Sequence, residues 1–207
     1  MKSLKLAIAL FTALAFPVFS DGISLDSVFS SLTENSVTSG DFSQEKTSPK
    51  LKRPLKSSGK FVFSKDGIIW QTLKPFPSTM AVTNDAIIQM GADGKKSVLD
   101  GSSNEVFKSV SASISSLFSG NRAVLEEYFK IRSFNVNGSK WSLSLSPKDA
   151  TISGTLKDIE ISGTADEKAV LDSMKIVQSD SNTTSYKLSN QSYRQELTTN
   201  EKSLLSK

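Results

Sequence analysis

Short runs of alternating apolar and polar residues recur along most of the chain and restrict its fold more than any other feature. In the run 140–147, Trp141, Leu143 and Leu145 alternate with serines, as in a strand that is buried on one face. The same two-residue spacing relates Phe61 and Phe63, Ile68 and Trp70, Met80 and Val82, Ile159 and Ile161, Met174 and Ile176, and Tyr186 and Leu188. Because mostly short turns separate these runs, the pattern predicts one antiparallel sheet with a single apolar face.

Two segments have the spacing of amphipathic helices, which could cover that apolar face. In residues 23–36, four apolar side chains share one helical face, namely Leu25, Val28, Phe29 and Leu32. A second helix is expected from about residue 103, where Ser102 and Glu105 have capping-box spacing. Its apolar stripe consists of Val106, Phe107, Val110, Ile114, Leu117 and Phe118. A further short turn of helix is predicted within residues 121–129.

Turn residues divide the remaining chain into strands. Gly67 is an expected turn, and Pro75 should end the strand that precedes it. Ile131 and Phe134 have opposite parity, which predicts a bulge or a change of strand between them. The polar tail, residues 192–207, has only a weak pattern. The predicted order is therefore a helix, about four strands, a helix, and then five or six strands, in a chain whose length suggests one domain.

The N-terminus has the order of a secretory signal. Lys2 and Lys5 precede an apolar run to Phe19, and small residues precede Asp21. This order predicts cleavage after Ser20, which would leave a periplasmic protein with one domain over residues 21–207. An uncleaved anchor is the alternative, although the apolar run is short for a membrane-spanning helix.

The composition excludes most common catalytic sites. The chain contains neither histidine nor cysteine, so it has no Ser-His-Asp triad, no Cys-His pair and no imidazole or thiolate metal ligand. Glu126 and Glu127 leave a carboxylate-pair hydrolase open, but adjacent side chains on a helix do not face each other. We therefore predict that the protein is not an enzyme and uses neither a cofactor nor a metal.

A basic run spans residues 46–60 and includes a stretch, residues 47–59, that is predicted to be a loop. The run consists of Lys46, Lys50, Lys52, Arg53, Lys56 and Lys60. It has two interpretations, a solvated loop or a docking patch for an acidic membrane surface or an acidic partner. Because no aromatic residues are interleaved with these charges, and the formal net charge is only +4, nucleic acid is not an expected partner.

Residues 40–46 and 57–90 resemble the periplasmic lipoprotein carrier (LolA-type) family. The matching residues are Phe42 and Gln44, then Gly59, Phe61 and Phe63, the turn at Asp66 and Gly67, Trp70, and Pro75. The pieces "RPLKSSGKF" and "LKPFPST" are similar to a smaller LolA-related branch, and "SYKLSNQ" is similar to its late strand.

The resemblance implies a mainly β fold of the α+β class, in which a curved antiparallel sheet forms an open half-barrel under two or three short helices. It also implies a monomeric carrier that binds a lipoprotein or acyl-lipid client and ferries it from an inner-membrane release complex to an outer-membrane acceptor. The cavity and lid residues would be Leu32, Phe61, Phe63, Ile68, Trp70, Met80, Val82, Ile114, Leu117 and Phe118. The same apolar residues could instead form an ordinary core, and a lipoprotein-sensing or regulatory module on the same fold is the alternative function.

One departure from the family pattern concerns the lid. The family usually has an arginine-proline pair after the strand that here ends at Phe63, and its arginine bonds the lid helix closed. Here Lys65 and Asp66 occupy that place. Lysine lacks the planar fork of arginine, so Lys65 is a weaker candidate for the residue that locks the lid.

Overall fold

The computed structural model describes residues 22–83, 86–100 and 122–206. These residues form one antiparallel sheet of eleven strands and four short helices. The strands are β1 Val37–Thr47, β2 Leu55–Ser64, β3 Gly67–Lys74, β4 Ser78–Val82, β5 Ala86–Gly91, β6 Lys96–Asp100, β7 Phe129–Asn137, β8 Lys140–Pro147, β9 Leu156–Ala165, β10 Ala169–Gln178 and β11 Thr183–Arg194. The helices are α1 Leu25–Leu32, α2 Arg122–Tyr128, α3 Ala150–Ser153 and α4 Thr199–Leu205.

The strand order shows that the sheet consists of two meanders joined in its middle. The order is β6-β5-β4-β3-β2-β1-β11-β10-β9-β8-β7, so β1 pairs with both β2 and β11. We call β1–β6 the N-terminal meander and β7–β11 the C-terminal meander. The outermost strands β6 and β7 do not pair, so the sheet is an open half-barrel with a helical lid, as predicted.

Helix α1 covers one face of the sheet, which we call the concave face. Ser24 caps α1 and exchanges hydrogen bonds with Ser27, which fixes where the helix begins. Val28, Phe29 and Leu32 are buried in one large cluster with side chains from both meanders. The helical spacing seen in the sequence therefore does predict which side of α1 faces the sheet.

The opposite, convex face is apolar in the N-terminal meander, and the prediction of a single apolar face is wrong there. Helix α4 packs on this face against β3 and β4. The second cluster consists of Val37, Val62, Ile69, Ala81, Ala86, Ile88 and Leu197, with Leu204 and Leu205 against it. The cause is visible in residues 61–63 and 68–70, where three consecutive apolar residues place side chains on both faces of a strand.

Helix α4 lies in the tail that the sequence pattern left weakly ordered. Thr198 accepts a hydrogen bond from the backbone N–H of Glu201, and the Glu201 carboxylate accepts one from the backbone N–H of Thr198. Arg194, the last residue of β11, then binds both carboxylate oxygens of Glu201. A capping box and a forked ion pair thus order a short helix that periodicity alone did not reveal.

Several other boundaries differ from the sequence-based expectations. Strand β2 begins at Leu55, so only residues 48–54 form the basic loop. Six strands, not about four, precede residue 101, and the short strand β6 is one of those that the pattern did not predict. The bulge between Ile131 and Ser133 and the short helix α2 are confirmed. The signal segment and the helix expected from about residue 103 lie outside the described residues.

Candidate functional site

Aromatic side chains of the N-terminal meander form the centre of the concave face. Register pairs Phe61 with Trp70 across β2 and β3, and Phe42 of β1 lies over the same surface. Ring centroids are 4.6 Å apart for Phe42 and Trp70 and 5.7 Å apart for Phe63 and Trp70. Tyr186 of β11 meets Trp70 edge-on at 4.8 Å. We call these five residues the aromatic cluster.

Gly59 allows the strands beneath this cluster to approach closely. It pairs with Phe42 of β1 and lies at a register shift between β2 and β3. A Cβ atom added there would lie 1.9 Å from the backbone oxygen of Gln71. The glycine that belongs to the family pattern is therefore required by backbone packing.

Six of the ten predicted cavity and lid residues come together in one buried cluster on the concave face. They are Leu32, Phe61, Phe63, Ile68, Trp70 and Val82. The resemblance implies a place for Ile68 near the cavity rim, but Ile68 pairs with Phe63 and Val82 and is buried. Met80 pairs with Trp70 but remains 38% exposed, so it lies where the aromatic surface reaches solvent. Ile114, Leu117 and Phe118 lie outside the described residues.

The lid helix α1 is held by a few polar contacts as well as by its apolar face. The Ser31 hydroxyl accepts a hydrogen bond of 2.8 Å from the backbone N–H of Ala169 in β10. Lys168 forms an ion pair of 3.0 Å with Glu34, just after α1. Because both ionic side chains are half exposed, this pair adds little to stability.

A second ionic contact joins α1 to α2. The Arg122 guanidinium donates to Asp26 at 2.8 Å and to Glu126 at 2.6 Å. The hydrogen bonds to Glu126 and to Asp26 raise the pKa of Arg122, so this side chain stays charged. Glu126 is therefore an ion-pair partner, and Arg122 is a site residue that the sequence analysis missed. No local pattern could have revealed it, because 96 positions separate Asp26 from Arg122.

Lys65 lies in the exposed turn between β2 and β3. It forms no hydrogen bond or ion pair with residues in the described ranges, whereas Ser31, Glu34 and Asp26 make the polar contacts of the lid. A role for Lys65 in locking the lid remains a prediction.

The two tryptophans of the chain differ in the state of their indole N–H groups. Trp141 of β8 donates to the backbone oxygen of Thr164 at 3.2 Å. Trp70 is only 8% exposed, and its buried Nε1 has no acceptor among the described residues. Burial raises the pKa of the neighbouring Tyr186 to about 12, so this phenol also keeps its proton at neutral pH. The aromatic cluster thus combines a large apolar surface with an unused hydrogen-bond donor.

A match to a family model bears on the functional class of the chain. The sequence matches the model of the family described as outer membrane lipoprotein carrier protein LolA-like over residues 19–196. The chain belongs to this LolA-like family. None of the curated proteins matches it. The family is one of carriers rather than enzymes, and within the described ranges no group of three or more acidic, histidine or cysteine residues could hold a metal ion.

Solved structures give further similarities to this LolA-like chain. A LolA superfamily protein from Nitrosomonas europaea has 7% identity and a TM-score of 0.46, with 88% of this chain and 96% of that chain covered. A putative outer membrane lipoprotein-sorting protein domain from Vibrio parahaemolyticus has 12% identity and a TM-score of 0.44, with coverage of 86% and 95%. The Mycobacterium tuberculosis lipoprotein LppX has 10% identity and a TM-score of 0.39, with coverage of 83% and 93%.

Proposed function

We propose that this protein is a periplasmic carrier that binds acyl chains of lipoproteins, or of a related lipid, between α1 and the concave face. The observation that carries the proposal is that the buried side of α1 and the aromatic cluster belong to one apolar cluster on the concave face. Val28, Phe29 and Leu32 occupy apolar space that an acyl chain could occupy instead. In this view, α1 is a lid that lies closed on the concave face. No helix within the described ranges is long and apolar enough to cross a membrane.

The energetics of exchange suit a shuttle. Each CH₂ group that leaves water contributes about 0.8 kcal/mol, so a sixteen-carbon chain contributes roughly 12 kcal/mol. Opening the lid would expose Leu25, Val28, Phe29 and Leu32 at about 1.5–3 kcal/mol each, which costs on the order of 6–12 kcal/mol in total. The two terms are similar in size, so the net affinity stays modest and the client can be released.

A modest affinity would allow the carrier to receive its client from one component and to give it up to another. An inner-membrane release complex would load the carrier, and an outer-membrane acceptor would remove the client. The exposed loop between β1 and β2 carries Lys50, Lys52 and Arg53, and Phe76 in the turn after β3 is 81% exposed. We assign the basic residues to docking on an acidic surface, so the protein should sediment with anionic lipid vesicles but not with neutral ones, and added salt should weaken the binding.

A reversible crosslink of the lid tests the binding site directly. The chain has no native cysteine, so a Ser31→Cys, Ala169→Cys double variant would carry only the designed pair. The backbone N–H of Ala169 lies 2.8 Å from the Ser31 hydroxyl oxygen, so the two residues are neighbours and are candidates for a disulfide between α1 and β10. The oxidised variant should lose binding of an environment-sensitive apolar dye and of a synthetic triacylated lipopeptide, and reduction should restore both.

A second double variant, Ser39→Cys with Ser192→Cys, is the matched control. These two hydroxyl oxygens are 3.0 Å apart across β1 and β11, so the crosslink spans the sheet without touching α1. Its oxidised form should bind the dye and the lipopeptide normally. Equal binding by both oxidised variants would show that α1 does not cover the site. Mass spectrometry of lipid extracted from protein purified without detergent would then identify the client.

A further inference from the structure

We infer that the Trp70 indole N–H is the polar anchor of the ligand, and that it selects acyl chains that carry a neutral ester or amide carbonyl. This inference rests on the proposed function. It starts from the buried Trp70 Nε1, which has no acceptor in the described part of the chain. A buried donor without a partner is unfavourable, so a ligand that supplies an acceptor gains affinity by pairing with it.

The surroundings of the indole restrict the chemistry of the acceptor. Phe42, Phe61, Phe63 and Tyr186 contact or approach its rings, and none of them carries a charge at neutral pH. A carboxylate placed among these rings would lose its hydration without gaining a counter-ion. A neutral carbonyl accepts the hydrogen bond without that penalty. The site should therefore prefer an acyl ester or amide to a free fatty acid. It should also prefer the ester or amide to a plain hydrocarbon of the same length.

The position of Trp70 fits an anchor near the accessible side of the surface. Its cross-strand neighbour on β4 is Met80, which is partly exposed, whereas its neighbour on β2 is Phe61, which is fully buried. A carbonyl held at Trp70 would leave the polar remainder of a client on the Met80 side. The hydrocarbon chain would follow the buried aromatic rings of the concave face.

Indole ¹⁵N NMR can test this inference because the chain has only two tryptophans. The Trp70→Phe variant would assign the two resonances. Methyl palmitate should shift the Trp70 N–H signal downfield, as expected for a new hydrogen bond, whereas hexadecane should bind without that downfield shift. The Trp141 signal should stay in place with both ligands, since its N–H is already bonded to Thr164.

Competition with the apolar dye gives the affinities. The wild-type protein should bind methyl palmitate about tenfold more tightly than hexadecane, and palmitate more weakly than methyl palmitate. Trp70→Phe should remove the preference for the ester over hexadecane, while an unchanged Trp141 resonance shows that the variant is folded.

The outcomes separate this inference from the proposed function. Binding of all three ligands with no downfield shift for methyl palmitate would overturn the anchor and leave the carrier standing. A preserved ester preference in Trp70→Phe would overturn it equally. If none of the ligands displaces the dye, the proposed function fails and the anchor fails with it.

Discussion

The two meanders of this sheet have similar strand counts but very different outer faces. In β8, the buried residues Trp141, Leu143 and Leu145 alternate with partly exposed serines. In β2 and β3, residues 61–64 and 67–70 are buried without interruption. The C-terminal meander therefore needs an apolar cover on its concave face alone, whereas the N-terminal meander needs one on both faces.

Different groups cover the two outer faces. On the convex side of the C-terminal meander, Ser162 bonds with Ser173, and Glu160 forms an ion pair with Lys175, so this surface faces water. On the same side of the N-terminal meander, α4 packs against β3 and β4. The comparison shows that the meander that carries four of the five residues of the aromatic cluster is also the one whose convex face is covered by a helix.

The largest expected effect comes from removing an apolar side chain beneath α4. Ile69→Ala should destabilise the protein by about 2–5 kcal/mol, because Ile69 is buried in the convex-face cluster. Ser144→Ala, on the convex side of β8, should change stability by less than about 0.5 kcal/mol. Urea unfolding of both variants measures the difference. Equal losses of unfolding free energy in the two variants would mean that the convex faces of the two meanders contribute equally to stability.

Alkaline pH should weaken the seam between the meanders, where Tyr186 of β11 packs on Trp70 of β3. The phenol has a pKa of about 12 in the folded protein against an ordinary value of 10. As pH rises through this interval, the unfolded chain has already lost a proton that the folded one keeps, so stability falls, by at most about 1.4 kcal/mol per pH unit.

Tyr186→Phe is the control for that titration. In urea unfolding, the free energy of unfolding of the variant should fall less steeply with pH in the alkaline range. The pH dependence caused by other groups should remain. The chain has three tyrosines, and their ionisation can be followed by ultraviolet absorbance. In the variant, the tyrosine that ionises at unusually high pH should be missing from this titration. A slope identical to that of the wild type would place Tyr186 in contact with water.

A smaller effect is expected at the support of α4. Partial burial alone would raise the pKa of Glu201, but hydrogen bonds from Arg194 and Thr198 outweigh it and hold this pKa below its usual range. The carboxylate therefore stabilises the fold above its unfolded-state pKa, near 4.3, and this contribution is lost as pH falls through the lower folded value. Glu201→Gln should cost about 1 kcal/mol at neutral pH.

The dependence on pH checks the mechanism. The difference in unfolding free energy between Glu201→Gln and the wild type should shrink as pH falls below about 4. Because α4 packs on the convex face, dye binding to the concave face should change little in this variant. A difference that stays constant down to acid pH would show that the Arg194–Glu201 pair is not its source.

Periodicity could predict the sheet, the bulge in β7 and the buried side of α1, because each depends on local spacing. It could not place Arg122 beside Asp26, since that contact depends on how distant elements pack. The Thr198-to-Glu201 spacing was readable in the tail, yet a helix this short depends on packing against β3 to be stable. The Trp70 N–H, which has no acceptor among the residues that the structure describes, depends on the whole cluster and has no sequence signal.

The pairing of β1 with β11 also determines when the sheet can be completed. Ser39 and Ser192 meet at the seam although 153 positions separate them, so the centre of the sheet forms only after nearly the whole chain is available. Contacts of such long sequence separation slow folding and prolong the exposure of apolar strands. Until β11 and α4 arrive, the N-terminal meander has two uncovered faces. Loss of the C-terminal strand would therefore open the middle of the sheet and not merely shorten one edge.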